Sequence, residues 1–234
     1  DITADVYPYN FWNSTLRVLF PDKAFTNLSS AELAVNKLFD PKESVLVRFA
    51  PYPSYAGKTI AAIAKERNES EAVTLMNLIQ IAADYKKANP NASGIEALAG
   101  KSMKDEDVAE FIQWTHANIC SDGAAGGHPR GYGAFTRVLG KYVRAEKALS
   151  LSQAVHKMTQ LTAQHLGLEQ RGKIAKRYFA DLVLFDPSTV NDNATIKNGK
   201  ALSTGINCVW VNGKIVYQQQ QATGELSGTL IKRN

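Results

Sequence analysis

The chain has 234 residues, 44% of them hydrophobic and 21% charged, which is the balance of globular material and enough for one large domain or two small ones. Its formal net charge of +5 comes from scattered Lys and Arg, so the basic stripe that nucleic-acid binding calls for is missing. No apolar run is long enough for a membrane-spanning helix, and "DITADVYPY" lacks the basic and apolar regions of a signal peptide.

In chain order, "DITADVYPY" alternates and predicts a strand that ends in a turn at Pro8. "NLSSAELAVNKLF" predicts a helix with Ser29 or Ser30 as its cap, carrying Leu33, Val35 and Leu38 and stopping before Pro41. "SVLVRFA" predicts a short strand closed by Pro51 and Pro53. "GKTIAAIAKERN" places Ile60, Ile63 and Ala64 at helical spacing, and "EAVTLMNLIQIAADYKKA" predicts a stronger helix ended by "NPNASG". "KDEDVAEFIQW" predicts a helix with acids in its first turn, where the helix dipole favours them. "ANICSDG" predicts a strand. A Gly-rich loop, "GAAGGHPRGYG", leads into "AFTRVLGKYVR", and "LSLSQAVHKMTQLTAQHLGL" predicts one further helix. From Ala180 the texture changes: "ADLVLFDP", "INCVWVNGKIVY" and "GTLIKRN" predict short strands, with Asn-Gly in "VNGKIV" as a hairpin signal.

Side chains alternate across a strand, so Asn118, Cys120 and Asp122 are expected on one face with Asp122 at the carboxyl end. In α/β barrels that end carries the chemistry. A turn-capping role for Asp122 is an equal reading, since Asp and Gly dominate turns. In "HPRGYG", Arg130 offers a planar fork suited to a carboxylate, and Gly126, Gly127, Gly131 and Gly133 let backbone and ligand come close. By itself that stretch reads first as a flexible surface loop with a solvated arginine. The chain has 4 histidines, His116, His128, His156 and His165, and none falls in a metal-ligand spacing. His128 is the single candidate for a site role, with a structural role favoured; His156 and His165 read as packing or surface residues. Cys120 and Cys208 are expected reduced and buried.

Several blocks together resemble one family. "ICSDG", "HPRGYGAFTRVLGKYVR", the stretch from "LSLSQAVHKM" to "ADLVLFDPSTV", and "GINCVWVNGKIVY" look like the carboxyl-terminal part of the N-acyl-D-amino-acid deacylases (D-aminoacylases) of the amidohydrolase superfamily. "DVYPYNFWNST" and "PYPSYAGKTIAAIA" resemble the same family further upstream, in the same order. The resemblance implies an α/β fold: the carboxyl-terminal portion of a (β/α)8 metal-dependent hydrolase barrel over residues 1–175, then strands of a small β-sandwich over residues 176–234. "DITADV" and "ANIC" would be the last two barrel strands, with a helical insertion between them.

The implied activity is zinc-dependent hydrolysis of N-acyl-D-amino acids to a carboxylate and a free D-amino acid. Asp122 is implied as the catalytic proton shuttle for metal-bound water, and Arg130 as the group that binds the substrate α-carboxylate. Tyr7 and Ser14 are implied as further substrate-binding residues. The family's zinc ligands are histidines and a cysteine upstream of "DVYPY", so the N-terminal half of the same enzyme is the expected partner. This chain alone is expected to bind no stoichiometric zinc and to be inactive. The loop "AAGG" is short for the family and Thr136 stands where proline is common, which bears on fine specificity and not on reaction class. The alternatives are another amidohydrolase, such as a dihydroorotase-like cyclic amidase, or a non-catalytic fragment. "HPRGYGAF" weighs against the cyclic amidase, because the arginine suits a free carboxylate. The expected compartment is the cytoplasm, with the periplasm as the alternative.

Overall fold

Two short apolar segments far apart in sequence form the first ladder. In the computed structural model, which describes residues 2–123 and 128–231, β1 (Ala4–Val6) and β5 (Ala117–Ile119) pair in parallel, with Asp5 opposite Asn118. A parallel pair needs a long crossover, and the chain between the two strands supplies it. The predicted adjacency and direction hold. Gly126 and Gly127 of the Gly-rich loop, Asp1 and the last residues of "GTLIKRN" lie outside the described residues.

The chain divides into two compact units. One holds the N-terminal stretch to Pro8, Asp105–Gly123 and the chain from Pro129 onward; the other holds Tyr9–Lys104 together with His128.

In the second unit, β2 (Phe11–Ser14), β3 (Val45–Phe49) and β4 (Glu96–Lys101) make an antiparallel sheet with β4 in the middle. The insertion is therefore not purely helical, and neither β2 nor β4 is legible in the sequence. Apart from Leu98, "EALAGK" is built from residues depleted in strands. It becomes a central strand because Ala97, Leu98, Ala99 and Gly100 are all buried there, and small side chains leave room for neighbours. Trp12 faces Gly100 across the ladder and donates its indole N–H to Ser102 Oγ at 3.0 Å. A Cβ on Gly100 would lie 2.2 Å from the indole Cζ2. Gly100→Ala is therefore expected to cost about 1–3 kcal/mol by overpacking, seen as a lowered Tm with a shifted tryptophan emission. An unchanged Tm would mean that the indole moves aside freely.

The helices of this unit follow their local signals. The helix α1 (Leu28–Leu33) starts earlier than predicted: Asn27 is the cap, its Oδ1 accepting from Ser30 N, while the Ser30 hydroxyl donates to Asp22. Beyond α1 the chain widens into a π-helical turn, Ala34–Leu38, before Phe39 returns to extended backbone. The helices α2 (Ile60–Arg67) and α3 (Glu71–Ala88) are capped by the hydroxyls of Thr59 and Ser70, and α2 stops on Asn68 at φ 53°. Their apolar faces meet in a core that includes Leu16, Phe20, Leu46, Ile63, Leu78 and Leu98. Each such side chain stabilises by roughly 1.5–3 kcal/mol on burial.

In the first unit, α4 (Asp105–Gln113) carries its three acids at the start, as predicted. The helix α5 (Arg130–Arg137) runs on as a π-helical stretch, Val138–Ala145. The single helix expected from "LSLSQAVHKMTQLTAQHLGL" is two: α6 (Leu151–Met158), begun by a capping box of Ser150 and Gln153, and α7 (Gln160–Leu166). The break falls at Thr159, at φ −132° and ψ −85°, whose hydroxyl donates back to Val155 O at 2.7 Å. That local bond competes with the helical ladder. Lys157 of α6 is buried and donates to the carbonyls of Trp114 and Ala117, which ties α6 to the start of β5. Burial pushes its pKa down.

The tail forms one antiparallel sheet in the order β6 (Leu182–Phe185), β7 (Ile206–Val211), β8 (Lys214–Gln218), β9 (Gln221–Ala222). The predicted hairpin turn is present, with Asn212 and Gly213 both at positive φ, 49° and 79°. The strand expected from "GTLIKRN" is not: residues 228–231 make no ladder. The chain before them is held by side chains instead, Ser227 Oγ donating to Val211 O and Asn212 Nδ2 to Ser227 O.

Candidate active site

Because β1 and β5 are parallel, their carboxyl ends lie on the same side. Tyr7 is the first residue beyond β1, and Asp122 follows β5 after a short extension in which Cys120 N still donates to Val6 O at 3.1 Å. Arg130 opens α5. These three converge: Arg130 Nη1 lies 3.0 Å from Asp122 Oδ2, and the Arg130 guanidinium carbon sits 4.9 Å from the centre of the Tyr7 ring. The Arg130 side chain is 10% exposed and that of Asp122 56%. Burial pushes the Tyr7 phenol pKa up, opposed by the Arg130 charge. Burial also pushes the Cys120 thiol up, with the Asp5 carboxylate adding to it. A buried guanidinium, an accessible carboxylate and a phenol at the carboxyl ends of adjacent parallel strands can bind an anion and move a proton.

The expected single face of Asn118, Cys120 and Asp122 does not hold. The regular strand stops at Ile119, and Asp122 sits at φ 45°, a left-handed conformation that Asp tolerates better than most residues. This bend carries the Asp122 carboxylate out of the strand's alternation and onto Arg130. Asn118 is buried and works elsewhere, donating to Asp5 Oδ1 at 3.0 Å and accepting from His165 Nδ1 at 2.8 Å. His165, read from sequence as packing or surface, is thus a hydrogen-bond partner of the strand; nothing local in the sequence marks that link.

Gly131 and Gly133 lie inside α5 and not in a loop, so the helix begins directly at Arg130. His128, in the other unit, is 3% exposed, donates its Nε2 proton to Phe11 O at 2.9 Å and meets the Tyr9 ring edge-on. That is the structural role favoured from sequence. Ser14 is also in that unit, exposed at the end of β2. His116 and His156 are exposed, and both cysteines are free, Cys208 buried and Cys120 partly so. Thr136 is buried, its hydroxyl donating to Gly133 O and pairing with Ser203 Oγ at 2.6 Å. Among the described residues no group of three or more His, Cys, Asp or Glu could hold a metal ion.

Comparison with known proteins supports the resemblance. An amidohydrolase family model matches residues 115–217. A D-aminoacylase of Alcaligenes xylosoxydans xylosoxydans is 32% identical over 236 residues, covering 100% of this chain and 42% of that protein. An N-acyl-D-aspartate deacylase of the same organism is 41% identical over 132 residues, 55% of this chain and 26% of that protein. Among solved structures, a D-aminoacylase described as defining a novel subset of amidohydrolases matches with a TM-score of 0.76 at 32% identity, over 97% of this chain and 42% of that one. The N-acyl-D-glutamate deacylase of Bordetella bronchiseptica matches with a TM-score of 0.72 at 30% identity, over 95% of this chain and 41% of that one; it holds zinc and a phosphonate inhibitor that mimics the tetrahedral intermediate. The chain thus spans about two-fifths of the length of these full-coverage relatives. Its parallel strand pair, its small tail sheet and these likenesses agree: the chain matches the amidohydrolase family over residues 115–217 and along its length is similar to the carboxyl-terminal two-fifths of the D-aminoacylases.

Proposed function

We propose that this chain carries the proton-transfer and carboxylate-binding residues of a metal-dependent N-acyl-D-amino-acid deacylase. The reaction adds water across the amide: the C–N bond breaks, the acyl group leaves as a carboxylate, and the nitrogen leaves as the amine of a free D-amino acid. The observation that carries this reading is the meeting of Asp122, Arg130 and Tyr7 beyond the carboxyl ends of β1 and β5. Arg130 binds the substrate α-carboxylate. Asp122 takes a proton from the attacking water and delivers it to the departing nitrogen. Tyr7 and Ser14 assist in holding the substrate.

Arg130 pairs with Asp122. The described residues do not supply the ligands for a zinc ion. Those ligands belong to a part of the protein outside this chain, the N-terminal half of the enzyme. In this reading residues 1–175 are barrel and insertion, and residues 176–234 are strands of a β-sandwich.

The test is hydrolysis of N-acetyl-D-amino acids by the full-length, zinc-loaded protein, with the L-enantiomers as controls. Arg130→Lys is expected to raise KM about 10- to 100-fold with little change in kcat, because lysine keeps the charge but loses the two-pronged fork. No turnover of any N-acyl-D-amino acid would sink the activity, and an unchanged KM in Arg130→Lys would sink the role of Arg130.

A further inference from the structure

The strand β2 ends at Ser14, opposite Leu98 of β4, and there the chain leaves the sheet. Thr15 stays extended at φ −78° and ψ 159°, and Leu16–Leu19 then forms a 3₁₀ turn whose two leucines are buried. The first amides of such a turn have no partner within it. Thr15 occupies the capping position, but its side chain makes no capping hydrogen bond. Glu96 provides the acceptor from across the sheet: its Oε2 lies 2.9 Å and its Oε1 3.2 Å from Leu16 N. Glu96 opens β4, two residues before the partner of Ser14. The chain is therefore held on both sides of Ser14, by the β-ladder before it and by one carboxylate after it.

The Glu96 carboxylate is partly buried, and burial is the largest influence on it, pushing its pKa up. The hydrogen bond from Leu16 and the charges of Arg17 and Arg48 favour its ionised form. A partly buried acid that reaches back to a chain exit and stays compensated in this way is a fixed anchor.

From this geometry we infer that Glu96 is a positioning residue for Ser14, setting where the strand-end hydroxyl sits by clamping the backbone two residues beyond it. The inference rests on the reading that Ser14 binds substrate. It does not place Glu96 on the substrate.

The experiment is a double-mutant cycle on the full-length, zinc-loaded protein with an N-acetyl-D-amino acid. Glu96→Ala is expected to raise KM about 3- to 10-fold, as Ser14→Ala does, with kcat within about twofold of wild type. The double variant is expected to be no worse than either single one, because both remove the same contact. Glu96→Gln keeps an acceptor at the same reach and is expected to restore KM to within about twofold of wild type. Glu96→Asp keeps the charge but shortens the reach by one methylene. It is expected to raise KM in the same direction and covers the case in which the alanine variant does not fold. A cap that merely stabilised the fold would lower Tm and leave KM unmoved. If Ser14→Ala raises KM while Glu96→Ala and Glu96→Asp leave it unchanged, or if the two effects simply add, the positioning role is overturned while the deacylase reading stands. If Ser14→Ala leaves KM unchanged, both the role of Ser14 and this inference fall.

Discussion

Asp122→Asn should lower kcat by about a hundred- to ten-thousand-fold, the range typical of losing a general acid–base group. Asparagine is the informative replacement at this position. It tolerates the left-handed backbone of Asp122, at φ 45°, as well as aspartate does. It keeps the shape and an oxygen that can accept from Arg130, but it cannot carry the proton. The ion pair with Arg130 is open to water on the Asp122 side, whose side chain is 56% exposed, so its loss should cost stability little, about 0–1 kcal/mol. A large fall in kcat with an almost unchanged Tm and an unchanged metal content is therefore the expected pattern in the full-length protein. Steady-state kinetics with elemental analysis and a thermal melt would check it. Wild-type turnover in Asp122→Asn would remove Asp122 from the chemistry and leave it as the turn-forming residue that its backbone also fits.

The largest expected loss of stability belongs to Gly205→Ala. Gly205 lies just before β7 at φ 80°, and a Cβ there would stand 2.4 Å from the Cα and 2.5 Å from the amide nitrogen of Val190. Both contacts are with backbone, so no side-chain rotation relieves them. The loop they press on is held from several directions. Asp186 N donates to Gly205 O, Asn191 and Thr204 exchange backbone hydrogen bonds, and Arg144 Nη1 donates to Val190 O at 2.7 Å. The left-handed conformation costs a non-glycine residue about 1–2 kcal/mol, and the clash about 1–3 kcal/mol more. At roughly 2–4 °C per kcal/mol for a chain of this size, Gly205→Ala should lose on the order of 5–15 °C in Tm. A melt within a degree of wild type would show that the crossing of residues 186–191 with β7 is looser than its hydrogen bonds indicate.

What the sequence determined by itself is whatever depends on near neighbours. The helix α3 runs from Glu71 to Ala88 because apolar spacing, the Ser70 hydroxyl and the following "NPN" all act within a turn or two. The Asn212–Gly213 hairpin forms because only such residues accept two successive positive φ values. The order of motifs also carried the family resemblance, and with it the expectation that Tyr7, Ser14, Asp122 and Arg130 form the site. Tertiary structure decided what depends on contacts between distant residues. "EALAGK" becomes a central strand only because Trp12 and β3 cover it from either side of the ladder. The buried Lys157, next to the break between α6 and α7, reaches two carbonyls that lie far back in the chain. At the site, the period-two rule placed Asp122 on the face of Asn118. The backbone leaves the strand at Ile119 instead, so Asn118 turns to Asp5 and His165 while Asp122 meets Arg130. Strand alternation is a local rule and ends with the strand. Which partner a side chain finds beyond that point is set by whatever the fold has packed there.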